Sequence, residues 1–574
     1  MILKYIGISC LSLAALICGC SSVQAEKSDS PFEYREIYLA ESMGKNAKNL
    51  GLNSVDYDWG VWGHNLRRVL PKNPVQNIFA KEGNSPNEEQ FCFSSNHLFN
   101  YISEYISDNY GENDTIRFAI LPNDNDIVCE CAKCKAAGNT KTDASPAVFS
   151  MIQRLSAKYP NHMFFTSDYS TTKSIPDTVM AENVGVLISA MDYPRYAGAT
   201  GKEQKFEERI NQWKEKVNKV YIWDYVNNFD DYFTPVPIFN TMQRRLQMYE
   251  RAGVNGVFLN GSGDDYSSFS KLQAEVLAAL TEDPNLDWKP LLKELCNKYY
   301  PTAGYAIYDF MVAQEDYFAS QGKELPLYDG VATALKSYLP GGRFVEFYNT
   351  LIDLSKKAGA QEKADLDNLI GALSLTRLEL ARLGGNVAGC EEALDRLSAL
   401  QNRKIESYNE ANWSIVDYVT DYNFINKHFL DIKDQNILKG AQIEALTPLD
   451  EDYSDVTILT DGLLGMPSNY HNGNLISSAD PSLILKVPYV EGMKTLRVGF
   501  LRNHAYHIGL PLNVSLSYEG HIIKTMEPKV VKVHSGHGYA EFDIPSSVNG
   551  PLTLTITRNP DERTMAVDEI EATK

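Results

Sequence analysis

Across residues 33–300 short apolar runs alternate with amphipathic stretches, and this alternation restricts the chain to few folds. The runs lie at 34–39, 116–121, 163–166, 184–190, 220–223 and 257–259. Stretches of helical period lie between them at 98–110, 147–159, 206–217 and 238–252. Strands that alternate with helices pair in parallel, because each helix carries the chain back to its starting edge. At least six such units predict a (β/α)8 TIM-type barrel, whose ordinary size is about 250 residues. An open doubly wound sheet is the alternative. It is disfavoured because no Gly-rich nucleotide fingerprint follows the first run.

The pattern changes twice further on. Residues 301–435 carry apolar positions at helical spacing with Glu, Lys and Arg between them, clearest at 363–383. No strand-like run interrupts them, so a helical region packed on the barrel is expected. From 440 to 574 the period is two. Short strands at 482–487, 494–500, 512–518, 539–544 and 552–557, bounded by Gly, Pro and Asn, predict a β-sandwich. The length of 574 residues agrees with about three domains.

At the other end, a basic start and a short apolar core run into Leu16-Ile17-Cys18-Gly19-Cys20-Ser21-Ser22. This predicts a signal peptide over 1–19. The small-residue–Cys–Ser–Ser order resembles a bacterial lipobox, in which Cys20 becomes the lipidated first residue. An ordinary secretory signal cut near Ala25 is the alternative. Residues 20–32 are polar and read as a tether. The expected location is the cell envelope, lipid-anchored in the outer membrane. A formal net charge of -20 repels phosphate backbones, so nucleic acid is excluded as a partner. A neutral glycan is compatible, and 33 Tyr supply faces on which sugar rings can stack.

Five apolar runs end in an acid, four of them with a Tyr directly beyond it. They lead into Asn123-Asp124, Asp168-Tyr169, Asp192-Tyr193, Asp224-Tyr225 and Asp264-Asp265-Tyr266. In a parallel barrel every strand C-terminus opens on the one face that holds the active site. Paired carboxylates among aromatic rings are what glycosidic cleavage needs: one protonates the leaving oxygen, the other attacks or activates water. Each Asp could equally cap the following helix. Trp59-Gly60-Val61-Trp62-Gly63-His64-Asn65 places two Trp and a His in an early loop. These residues either touch substrate at the same face or pack in the core. Cys129-Glu130-Cys131-Ala132-Lys133-Cys134, with Cys92 upstream, could bind structural Zn2+ or form two disulfides. Spacing does not choose, and both would staple the loop that carries Asp124. Cys296 and Cys390 read as packing residues.

The order Tyr34-Arg35-Glu36, Trp62-Gly63-His64-Asn65-Leu66, Phe91-Cys92, Asn123-Asp124 with the cysteines, Trp223-Asp224-Tyr225 and Gly253-Val254-Asn255-Gly256-Val257-Phe258 resembles an uncharacterised bacterial family. That family is known as a domain of unknown function, number four-eight-three-eight. The resemblance spans about residues 33–320. It implies a glycosidase-like barrel from polysaccharide-utilising bacteria, distantly related to alpha-glucuronidases and hexosaminidases. It marks His64, Asn123, Asp124, Asp224 and Tyr225 as matching positions. The chain departs from the pattern in two places. Hexosaminidases carry an adjacent Asp-Glu pair where Asn123-Asp124 stands, and many family members carry a Glu where this chain has Leu259-Asn260. The domain that usually precedes such a barrel is not expected here. The sandwich resembles galactose-binding-like modules through Leu459-Thr460-Asp461-Gly462 and Ala566-Val567-Asp568-Glu569-Ile570.

The expected activity is therefore glycoside hydrolysis by a lipid-anchored enzyme. Asp124 and Asp224 are the expected acid and base or nucleophile, with Asp264 or Asp265 in reserve. Trp62, His64, Asn123, Tyr169, Asp192, Tyr193 and Tyr225 are expected to contact sugar. No catalytic cofactor is expected. A non-catalytic glycan-binding lipoprotein is the alternative. A metal-dependent hydrolase is a further rival, but the chain lacks an H-E-x-x-H motif.

Overall fold

The computed structural model describes residues 30–574 except 84, 199–200, 385–389, 451–452, 479 and 532–535. The signal peptide, Cys20 and most of the tether lie outside the described residues.

Among the described residues the N-terminal part contains ten strands. They are β1 (Tyr34–Leu39), β2 (Trp59–Val61), β3 (Phe79–Glu82), β4 (Ser85–Phe91), β5 (Arg117–Ala119), β6 (Met163–Asp168), β7 (Val184–Ser189), β8 (Arg195–Tyr196), β9 (Lys219–Tyr225) and β10 (Gly256–Gly263). Seven form one parallel sheet in the order β1-β10-β9-β7-β6-β5-β2. From β2 to β10 neighbours in space follow one another in the series, and the first strand, β1, pairs with the last, β10. The sheet is curled enough for rings from its two end strands to meet, with Tyr34 of β1 5.9 Å from Trp59 of β2. Phe165 and Tyr221 fill the same interior, 4.7 Å apart.

This is a mixed α/β half-barrel, and the closed eight-stranded barrel expected from the sequence is not seen. Among the described residues no ladder joins β1 to β2. Residues 40–58 form only short helical turns, too little chain for another strand and its crossover. β2 itself has three residues and stands where a loop is predicted. The hairpin of β3 and β4 is also absent from the sequence reading, because β4 is mostly polar and exposed. The predicted helices do form, at Asn96–Asn109, Ser145–Lys158, Gly201–Lys214 and Phe239–Arg251. In the first, Ser95 accepts the Leu98 N–H as N-cap, and Leu98, Ile102 and Ile106 turn one apolar stripe onto the sheet.

Beyond the sheet come, among the described residues, seven longer helices, from Ser270–Glu282 to Ile415–Ile432. They do not form a separate core. Phe310, Phe347 and Leu369 belong to the apolar cluster that also contains Ile37 and Val186. A second cluster joins Tyr225 at the end of β9, and Phe229 and Phe233 beyond it, to Leu375 and Tyr418 on two of the helices and to Leu464 and Met466. The C-terminal region has a five-stranded antiparallel sheet and a six-stranded one that is antiparallel except where Ile508–Gly509 pairs in parallel with Thr564 and Met565, as the period-two pattern predicts. Leu483, Leu485, Leu554, Val498 and Phe500 fill the space between them. A buried node ties this region to helix Ala360–Leu383. Arg382 donates to Glu379 and to Asn472, each at 2.8 Å, and Tyr418 donates to Glu379 at 2.5 Å.

Candidate active site at the strand ends

A cavity of about 440 Å³ opens at the C-terminal ends of the parallel strands. Side chains two apart on a strand point the same way, so each strand end supplies alternate residues. β6 and the residue after it give Ser167 and Tyr169, β7 and its loop give Ser189 and Met191, β9 gives Trp223 and Tyr225, and β10 gives Asn260. The loop after β5 adds Asp124, and the segment after β2 adds His64. Phe229, Tyr328 and Glu410 close the hollow from above.

The same alternation turns the other acids outward. Asp168 faces the helical layer, where it accepts Arg209 Nε at 2.6 Å and Trp213 Nε1 at 2.7 Å. Asp224 is fully buried and accepts Arg245 Nε at 2.7 Å, the Tyr249 hydroxyl at 2.5 Å and the Tyr225 N–H at 2.8 Å. Its carboxylate is saturated by structural partners and does not reach the cavity. The expected pairing of Asp124 with Asp224 is corrected accordingly. Asp192 is exposed and pairs with Lys173. Asp264 is exposed outside the cavity, while Asp265 accepts the Ser407 hydroxyl at 3.2 Å. Burial raises the Asp265 carboxyl, and Asp264 adds to the effect. Neither residue lines the hollow.

Asn123 does not face sugar space either. Its amide donates to the Glu89 carbonyl at 2.7 Å, and its backbone exchanges bonds with the Gln90 side chain at 2.9 and 3.0 Å. Asn123 therefore holds the Asp124 loop on β4. Trp62 lies beneath the cavity, stacked on Trp223 at 4.9 Å and tilted against Phe258 at 4.6 Å. Tyr193 stacks face to face on Phe206 at 3.8 Å. It lines a different hollow of about 860 Å³, between the loop after β7, residues 323–337 and the C-terminal sheets. The two hollows share Met191 and Tyr328.

Within the cavity the groups are coupled. Gly63, at φ +59°, makes the turn that brings His64 over the strand ends. His64 Nδ1 donates to the Pro122 carbonyl at 2.7 Å, which leaves Nε2 as the acceptor of the neutral ring. Burial pushes the Tyr169 hydroxyl up to about 12, helped by the Asp124 carboxylate against which it is hydrogen-bonded. Burial also raises the Glu410 carboxyl, and the Asp124 charge raises it further. The Tyr328 hydroxyl, donating to Glu410 Oε2 at 3.1 Å, opposes that rise in part. The Glu410 N–H donates to the Phe229 carbonyl at 2.9 Å and so fixes its segment to the loop after β9. A carboxyl group raised by its surroundings and lying in one hollow with a second carboxyl group suits an acid role.

Glu410 and Tyr328 are missed by the strand-end reading because they come from the helical region. The available signal for Glu410 is the polar turn Tyr408-Asn409-Glu410-Ala411-Asn412, set among helical patterns. Next to the cavity, burial and the neighbouring Asp329 and Asp231 raise the Asp230 carboxyl to about 7. The cysteines Cys92, Cys129, Cys131 and Cys134 lie together as free thiols below the Asp124 loop.

The family described as "Domain of unknown function (DUF4838)" matches residues 22–312. No curated protein matches the chain. Solved structures similar to it include one described as a novel family GH115 4-O-methyl-alpha-glucuronidase, BtGH115A, with specificity for decorated arabinogalactans. That match is 13% identical, covers 83% of this chain and 66% of the other, and has a TM-score of 0.37. The lectin domain of lectinolysin complexed with Lewis B antigen matches at 14% identity over 24% of this chain and 96% of its own, TM-score 0.19. The beta-galactosidase BgaA of Streptococcus pneumoniae matches at 11% identity over 21% of this chain and 84% of the other, TM-score 0.15. The chain thus spans just under two thirds of the first of these structures.

Proposed function

The chain belongs to the DUF4838 family, and on that footing we propose that it is a lipid-anchored cell-envelope enzyme that hydrolyses O-glycosidic bonds of a glycan. The observation that carries this reading is the sharing of one aromatic-walled cavity by Asp124 and Glu410. Glu410, held protonated more readily than an ordinary Glu, gives its proton to the leaving glycosidic oxygen. Asp124 takes the second role: it either attacks the anomeric carbon or takes a proton from the attacking water. The choice follows from carboxyl separation, about 5–5.5 Å for retention and about 6.5–9.5 Å for inversion. Trp223, Tyr225 and Phe229 offer faces to the sugar ring, and His64 Nε2 accepts a hydroxyl proton. The larger hollow beyond Met191 and Tyr328 takes further sugars of the same glycan. The lipid sits on Cys20, for which the Gly19-Cys20-Ser21-Ser22 order is the support.

The test is turnover on a panel of plant and host glycans. Asp124→Asn and Glu410→Gln should each lower kcat/KM by about 10²–10⁴-fold, the usual worth of a positioned acid or base. Both should leave the thermal midpoint close to that of the wild type. Glu410→Gln should also abolish the alkaline limb of the pH profile. Full turnover in both variants would reject the assignment. Asn260, an amide lining the cavity at the end of β10 where the family resemblance leads one to expect a Glu, favours a second reading as a non-catalytic glycan receptor. Calorimetric binding of a glycan that is never cleaved would select that reading.

A further inference from the structure

We propose that Cys92, Cys129, Cys131 and Cys134 bind one zinc ion as a closed four-thiolate centre that fixes the Asp124 loop to the β3–β4 hairpin. The four sulfurs come from two distant segments, and all lie within 4.8 Å of one another. Cys92 Sγ is 3.6 Å from Cys131 Sγ and 3.7 Å from Cys134 Sγ. Sulfurs at about 2.3 Å from a tetrahedral zinc stand about 3.8 Å apart, so this spacing already fits the ion. A disulfide would need one pair to close to about 2.05 Å. Cys92 is almost equidistant from two candidates and favours neither. Three of the four side chains are buried, and the fourth, Cys131, is half-buried.

The surroundings suit thiolates. The Lys81 N–H donates to Cys129 Sγ at 3.3 Å, and the Cys134 N–H donates to Cys131 Sγ at 3.4 Å. The Ser94 hydroxyl lies 3.2 Å from Cys134 Sγ and can donate to it once the thiol is ionised. Binding releases four thiol protons and leaves a centre of net charge about −2, which these donors spread. With four sulfur ligands no position remains for water, so the ion is structural. Its mechanical effect is local. Gln90, on the strand that leads into Cys92, bonds Asn123 and Asn125 on either side of Asp124. The Glu130 N–H bonds the Lys81 carbonyl at 2.8 Å. The metal would lock both ends of this clamp.

The proposal is independent of the glycosidase reading, so its main readouts are metal and thiols. The full mature chain, exported and purified without added metal, should contain one zinc by elemental analysis. Its denatured mass should equal that of the all-thiol chain. A metal-free chain four hydrogens light, carrying two disulfides, would overturn the proposal; so would iron in place of zinc, or a reduced chain without metal. Cys131→Ser should lower the zinc content at least about tenfold. Should that variant not fold, wild-type chain loaded with Co2+ after chelation supplies the second test. It should show the thiolate charge-transfer and d–d bands of tetrahedral cobalt, and their absence would overturn the site. Chelation should speed amide exchange in residues 122–134 by at least about tenfold while helix Ser270–Glu282 is unchanged. Uniform exchange across both would reject the local role.

Discussion

Burial lifts the Glu36 carboxyl inside the half-barrel to about 8, against the stabilising hydrogen bonds it accepts from the Tyr34 hydroxyl and the Val55 N–H. Glu36 therefore stays protonated in the folded chain at pH values where it ionises in the unfolded one. The folded state binds the extra proton from about pH 4.5 up to about pH 8. Stability from this group is complete below that window and is lost as pH rises through it, by up to about 1.4 kcal/mol per pH unit. Glu36→Gln should flatten that slope, and denaturant titrations at pH 5 and pH 8 read the difference. An unchanged slope would mean that the carboxyl is solvated or paired in solution. The residue scale also shows what the sequence could and could not tell about the site. Asp224 and Tyr225 are adjacent, so in an extended strand they must face opposite ways. The repeated Asp-Tyr pairs pointed to the correct end of the sheet. The pairs could not say which member faces in, because an inward Tyr and an inward Asp give the same text. Tyr169 and Tyr225 face the cavity, and Asp168 and Asp224 went to Arg209 and Arg245.

At the scale of elements, the Asp224–Arg245 pair is what bolts helix Phe239–Arg251 to β9. The Arg245 guanidinium also donates to the Tyr193 carbonyl at 3.1 Å, so it joins the loop after β7 as well. Asp224→Ala would leave a fully buried cation without its partner, a change that costs roughly 3–5 kcal/mol. The expected result is a large drop in thermal midpoint, with turnover per folded molecule close to wild type. Thermal unfolding beside activity at low temperature separates the two. Loss of turnover without loss of stability would return Asp224 to the catalytic machinery. Strands and helices with strong period were legible from the residues, and their ends agree to within a few positions. β2 was not legible, because three residues containing Trp59 and Gly60 carry no alternation long enough to read. The open seam between β1 and β2 was hidden for the same reason: unit counting assumes that each unit brings a full strand.

For the whole molecule, the apolar clusters show three sequence regions sharing two interfaces rather than standing as beads. Phe229 and Phe233 from the half-barrel, Tyr418 and Tyr422 from the helices and Leu464 and Met466 from the C-terminal region pack as one body. The proposed lipid on Cys20 would then decide where this body works. Cys20→Ala should move the protein from the membrane pellet to the soluble envelope fraction, read by fractionation and by loss of fatty-acid labelling. A variant that stays in the pellet would point to another attachment. The long-range partnership was the least legible part of the sequence, since Glu410 lies far along the chain from the strands it covers. That distance carries a consequence for biogenesis. A nascent chain emerges from its N-terminus, so residues 34–263 are all made while Glu410 is still unmade. If the proposed pairing holds, a stalled or clipped chain that lacks Glu410 keeps one lone carboxylate and would be inert. On that reading competence would arrive late and all at once, when the last covering segment docks.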